Sequence, residues 1–154
     1  MNEINPLENI SEKVLLVEDN EGDVVLIKKA FSDARLANKI NVCRDGQEGY
    51  EFLKKIGKYA DAPTPDLILL DINMPKVTGL ELLEMIKQED ALKIIPVIML
   101  TTSSSEEDIL KSYQLHVSSF VQKPVEFVEF LDAIQQIQDY WFSIVKFPPK
   151  LAYS

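Results

Sequence analysis

Four short apolar runs in this chain each end in residues that can do polar chemistry. Val14-Leu15-Leu16-Val17 leads into Glu18 and Asp19. Leu67-Ile68-Leu69-Leu70 leads into Asp71, with Asn73 two residues on. Pro96 to Leu100 leads into Thr101, and Phe120-Val121-Gln122 leads into Lys123 and Pro124. If these ends meet, three carboxylates, a hydroxyl and an ammonium share one place. Two carboxylates ~4 Å apart repel by about 4 kcal/mol at an effective dielectric of ~20. Three together must shift their pKa values or hold a cation. Hard oxygen donors with room for water suit Mg²⁺. Asp71 is then an accessible carboxylate nucleophile beside a metal, a route to an aspartyl phosphate. Lys123 can neutralise one phosphoryl oxygen and Thr101 can offer its hydroxyl to another, so positioning and electrostatics carry the transfer.

The elements that must position these residues alternate in type. Val24 to Ala37 has Val24, Ile27, Ala30, Phe31 and Ala34 at helical spacing, and Ile40 to Cys43 reads as a weaker strand. Asp45-Gly46 punctuates the chain before a helix over Gln47 to Ile56. Gly57 to Pro65 reads as a loop, Gly79 to Lys87 as a helix, and Glu106 to Leu115 as a shorter helix capped by Ser104 or Ser105. A long last helix is expected from Val125 to about Val145. Continuously apolar strands imply burial on both faces. Strand-helix alternation implies right-handed parallel crossovers and a doubly wound α/β fold with helices on both faces. Sites in such sheets lie beyond the carboxyl ends of the strands, where all four segments deliver their polar residues.

Taken together, Val14 to Asn20, Leu69-Leu70-Asp71-Ile72-Asn73-Met74-Pro75, Met99-Leu100-Thr101 and Val121-Gln122-Lys123-Pro124 resemble the signature segments of bacterial response-regulator receiver domains. The likeness runs from about Lys13 to Ile137. It implies a flavodoxin-like five-stranded parallel sheet in the order 2-1-3-4-5. It also implies that Asp71 is the phosphoacceptor, Asp19 a direct Mg²⁺ ligand, Glu18 a ligand through water, and Asn73 a ligand through its backbone carbonyl. Thr101 and Lys123 match the hydroxyl and lysine that contact the phosphoryl group. Phe120 matches an aromatic that turns with Thr101 between two states; many receivers carry Tyr there, and Phe has no hydroxyl to offer a partner. A cis Lys123-Pro124 bond is a further implication. Such a domain is a phosphoacceptor with self-catalysed transfer and slow self-dephosphorylation rather than a turnover enzyme, and its donor is a sensor histidine kinase. The length of Gly57 to Pro65 and the extension through Tyr140-Trp141 to Phe147-Pro148-Pro149 are similar to stand-alone receivers of phytochrome-type kinases.

Composition narrows the alternatives. The 154 residues are 46% apolar, with a formal net charge of −9. The length fits one receiver domain over 13–145, with an N-terminal arm over 1–12 and a tail over 146–154. The acidic balance disfavours direct nucleic-acid binding and anionic membrane surfaces, and no apolar stretch reaches spanning length. One cysteine, Cys43, forms no internal disulfide and reads as a buried strand thiol. A cytoplasmic location is the expectation. The stripe that ends the last helix overruns the sheet. Phe127, Ile134, Trp141, Phe142, Val145 and Phe147 are therefore expected to form a homodimer interface, against the alternative that the tail folds back on its own domain. His116 reads as a loop or helix-end cation. Three rivals stay on the table: a flavodoxin-type redox protein, which Glu18-Asp19 disfavours; an aspartyl-phosphate hydrolase, which Asn73 disfavours; and a pseudo-receiver scaffold, which the full residue set disfavours.

Overall fold

The computed structural model describes residues 13–33, 39–72, 74, 76–101, 114, 117, 119–122, 128 and 132. The expected arm over 1–12 and tail over 146–154 lie outside them. Of the two last expected helices only Gln114, Val128 and Asp132 are described, each helical and exposed. The expected Ser104 or Ser105 cap also lies outside.

Five strands form one parallel sheet: β1 (Lys13–Val17), β2 (Lys39–Cys43), β3 (Leu67–Asp71), β4 (Val97–Thr101) and β5 (Ser119–Gln122). Their order is β2-β1-β3-β4-β5, as expected. Every residue of β3 is buried, which explains its unbroken apolar run. Alternation splits the strands between two cores. Val14, Leu16, Leu67, Leu69, Ile98 and Leu100 pack with Val24, Ile27, Ala30 and Phe31 of helix α1 (Glu21–Asp33). Leu15, Val17, Ile68, Leu70, Val97 and Met99 pack with Phe52 and Leu53 of α2 (Gly46–Lys54) and Leu82, Leu83 and Ile86 of α3 (Gly79–Lys87). Helices therefore cover both faces. Each fully buried Leu or Ile side chain stabilises the fold by about 1.5–3 kcal/mol.

Several boundaries differ from the sequence expectation. Helix α1 begins at Glu21, not Val24, because Asn20 caps it: the Asp23 amide donates to Asn20 Oδ1 at 2.9 Å, and the Val24 amide to the Asn20 carbonyl at 3.0 Å. That first turn carries no apolar residue, so periodicity alone starts too late. Helix α2 runs Gly46–Lys54 rather than Gln47 to Ile56. Lys55 turns left-handed at φ 58, and the Ile56 amide closes on the Glu51 carbonyl at 2.9 Å. Strand β4 runs Val97–Thr101 rather than Pro96 to Leu100. Pro96 has no N–H for the ladder, although its carbonyl accepts from Ile68 at 3.0 Å.

The stretch read as a loop over Gly57 to Pro65 contains a 3₁₀ turn, Gly57–Tyr59. Tyr59 packs its ring on Phe52, centroids 5.2 Å apart, and Lys58 stands over that ring while pairing with Glu48 at 3.5 Å. The turn therefore belongs to the end of α2. It leads to the amino end of β3, the end away from Asp71.

Candidate functional site

The sheet register assembles the site. Val17 pairs with Leu70 and Asp71 with Leu100, so Glu18 comes level with Asp71 on the neighbouring strand. Glu18 extends the row of Val14 and Leu16, and Asp71 extends the row of Leu67 and Leu69, all on the α1 face. The Glu18 amide still follows the ladder, donating to the Cys43 carbonyl at 2.9 Å. Glu18 Oε2 accepts from the Asn20 amide at 3.1 Å. That contact turns the chain out of the strand, leaving Asp19 exposed and placing the Asn20 cap at the head of α1.

Glu18 is fully buried, and Asp71, expected from the sequence to be accessible, is only 3% exposed. One carboxylate oxygen from each of Glu18, Asp19 and Asp71 lies within 4.8 Å of the other two. At that separation each pair repels by about 3 kcal/mol at an effective dielectric of ~20. A divalent cation turns that repulsion into attraction. The donor set consists of oxygens alone, with an open side at Asp19 for water. This fits Mg²⁺ or Mn²⁺ rather than a thiolate- or imidazole-seeking metal.

The loop after Asp71 is held at both ends. The Ile72 amide donates to the Leu100 carbonyl at 3.0 Å, and the Gly79 amide returns to the Ile72 carbonyl at 2.8 Å. Thr78 and Glu81 form a reciprocal capping box on α3. Gly79 sits so close to β3 that a Cβ there would fall 2.0 Å from the Asp71 carbonyl oxygen. Within the loop Met74 is buried and Lys76 adopts a left-handed φ of 65. The amino end of α2 abuts the same loop: a Cβ on Gly46 would lie 2.0 Å from the Val77 carbonyl oxygen. Asp45 caps α2 through the Glu48 amide at 2.8 Å and pairs with Lys76 at 3.6 Å. Sequence reading took Asp45-Gly46 as punctuation and missed this contact, which depends on tertiary approach. The Thr78-to-Glu81 spacing was a usable signal for the start of α3.

The remaining expected site residues divide into two groups. Thr101 ends β4 and pairs with Gln122, the residue before Lys123; Phe120 lies on β5 opposite Met99. The backbone thus sets Thr101 one residue beyond the level of Asp71, on the adjoining strand. Asn73, Lys123 and Pro124 lie outside the described residues, as do His116, Phe127, Ile134, Trp141, Phe142, Val145 and Phe147. Cys43 is buried as expected. Burial pushes its thiol up to about 12, with the Glu48 carboxylate adding to the shift, so it is not a nucleophile near neutral pH. Among the described residues no helix is long and apolar enough to cross a membrane.

Known proteins resemble this chain in sequence and fold. The profile of the response regulator receiver domain family matches residues 14–135. The response regulator Rcp1 of Synechocystis sp. is 38% identical over 140 residues, covering 91% of this chain and 95% of its own. The solved bacteriophytochrome response regulator AtBRR is 45% identical with a TM-score of 0.73, over 82% of this chain and 91% of that one. The phosphorylated cyanobacterial phytochrome response regulator RcpA is 41% identical with a TM-score of 0.74, over 86% and 95%. A structure of Rcp1 has been solved in its Mn²⁺-bound form, with a TM-score of 0.72 over 86% and 96%.

Proposed function

The chain belongs to the response regulator receiver domain family, and from that membership we propose that it takes a phosphoryl group on Asp71 from a sensor histidine kinase and switches shape to signal to a partner. The observation that carries this reading is the convergence of Glu18, Asp19 and Asp71 within 4.8 Å at the carboxyl end of the sheet.

Asp19, Asp71 and the backbone carbonyl of Asn73 would hold Mg²⁺, with Glu18 acting through water. When bound, the metal supplies positive charge to the transferring phosphoryl oxygens. An Asp71 carboxylate oxygen attacks phosphorus, the P–N bond to the donor imidazole breaks, and that nitrogen keeps the electron pair. Burial keeps the Asp71 carboxylate in one orientation, which lowers the entropic cost of in-line attack. Thr101 donates its hydroxyl to one phosphoryl oxygen and Lys123 neutralises another. As Thr101 moves inward, Phe120 turns into the space it leaves. Water later hydrolyses the acyl phosphate slowly, returning the resting state. The switch moves only by the differential stabilisation of its two states: going from 1:99 to 99:1 takes about 5.5 kcal/mol.

The likeness to Rcp1 and the bacteriophytochrome regulators supports a phytochrome-type kinase as the donor, acting in the cytoplasm. A homodimer through Phe127, Ile134, Trp141, Phe142, Val145 and Phe147 fits the apolar stripe of the last segment and gives a readout within this chain. The test is beryllofluoride with Mg²⁺ added to wild type and to Asp71→Asn, followed by tryptophan fluorescence and light scattering. A response in wild type alone is expected. A response in both proteins, or in neither, overturns the reading.

A further inference from the structure

After Asp71 the chain leaves the sheet in a loop, of which residues 72, 74 and 76–78 are described, and comes back against the strand at Gly79, the first residue of α3. Its two ends are joined by the Gly79-to-Ile72 hydrogen bond of 2.8 Å. Met74 anchors its near side in the core. Val77, on its far side, is partly buried against the core and takes a further contact besides. That contact comes from α2, a separate element between β2 and β3. Gly46 approaches the Val77 backbone so closely that a Cβ would stand 2.0 Å from the carbonyl oxygen and 2.7 Å from the carbonyl carbon. One residue earlier, Asp45 reaches Lys76 Nζ at 3.6 Å, where the chain holds a left-handed φ of 65 that a lysine adopts only at a cost. Backbone contact, ion pair and strained turn coincide at one point, on the loop whose residue 73 gives its carbonyl to the metal in the reading above.

We propose that the amino end of α2 is a positioning element for cation binding: Gly46 sets the height of the loop after Asp71, and the Asp45–Lys76 pair holds its left-handed turn. Neither Gly46 nor Asp45 touches the metal; they act through the loop. The inference rests on the proposed metal-dependent function, and the experiment separates the two.

Mn²⁺ affinity is measured by calorimetry for wild type, Gly46→Ala, Gly49→Ala and Lys76→Gln, with urea unfolding of each in chelator. Gly49 lies on the same helix, but the atoms nearest a Cβ there are side-chain atoms of Leu82 and Val17 at 3.0–3.2 Å. It therefore reports a merely structural defect in α2. Gly46→Ala should bind Mn²⁺ at least tenfold more weakly than wild type, and Gly49→Ala within about twofold of it. Lys76→Gln gives a test by sign. Deleting a positive charge from the protein favours cation binding by Coulomb's law alone, whereas losing the tie weakens it, by about two- to threefold. If Gly46→Ala does not fold, Lys76→Gln decides. Equal weakening in Gly46→Ala and Gly49→Ala, or unchanged or tighter binding in Lys76→Gln, overturns the inference. Failure of wild type itself to bind Mn²⁺ would instead overturn the proposed function.

Discussion

Gly79 and the carbonyl oxygen of Asp71 are in direct backbone contact, leaving no space for a side chain: a Cβ at 79 would lie 2.0 Å from that oxygen. The start of α3 and the end of β3 therefore share one position, and the proposed acceptor, Asp71, is held by a helix it does not belong to. Gly79→Ala must push the two elements apart. Overpacking of this kind costs about 1–3 kcal/mol. The urea midpoint should fall by that amount with an unchanged slope, and labelling by a phosphodonor should slow.

Asp19 is the exposed member of the carboxylate cluster, so replacing it disturbs packing least. Mg²⁺ at a hundredfold over its Kd should stabilise wild type by about 2.7 kcal/mol. Asp19→Asn should lose most of that gain while keeping its stability in chelator. Thermal melts with and without Mg²⁺ check this; equal metal-induced shifts in both proteins would remove Asp19 from the metal site.

Lys123 and Thr101 divide between them the oxygens of the transferred group in the proposed mechanism. Lys123→Ala and Thr101→Ala should each abolish the beryllofluoride-induced fluorescence change or reduce it at least tenfold. Mn²⁺ affinity, which depends on the acids, should stay within about threefold of wild type for Thr101→Ala. Titration of both variants with fluoride-activated beryllium gives the result directly.

The Cys43 thiol is pushed from its ordinary value of 9.0 up to about 12, chiefly by burial. Its folded pKa is raised, so the unfolded chain loses this proton first. The stabilisation is complete below about pH 9 and is lost as pH climbs toward about 12. Tyr59, whose hydroxyl burial also pushes up, acts in the same direction. Stability measured from pH 8 to 11 should fall for wild type and fall less steeply for Cys43→Ala, with a residual slope from Tyr59. Parallel curves would refute the assignment.

Trp141 belongs to the stripe proposed to pair two copies. Trp141→Ala should lower the mass observed in sedimentation velocity. An unchanged mass in the beryllofluoride-treated protein would remove the last segment from the assembly.

The strands and the acidic cluster were legible because each chemical residue sits directly after an apolar run, whereas the strand order came from the family resemblance. Val17 before Glu18 and Leu70 before Asp71 mark both the burial and the point where it ends, and the parallel register turns those end points into neighbours. The first turn of α1 was not legible from periodicity, since Glu21 and Gly22 are exposed and send no apolar signal; only the Asn20 cap marks it. The roles of Gly46 and Gly79 could not be read at all. Each glycine looks like ordinary helix-start punctuation until a backbone from another part of the chain is seen to occupy the space a methyl group would need. The 3₁₀ turn at Gly57–Tyr59 was hidden for a related reason, because what organises it is the packing of Tyr59 on Phe52.

That turn feeds the amino terminus of β3, a full strand length from Asp71. In a parallel sheet every strand sends its carboxyl end the same way, so reactivity gathers along one border and leaves the opposite border chemically idle. Residues inserted or exchanged around Gly57–Tyr59 can reshape the outer surface of the protein while the border that carries the carboxylate cluster keeps its spacing. The surface offered to a partner can thus change while the proposed transfer chemistry stays the same.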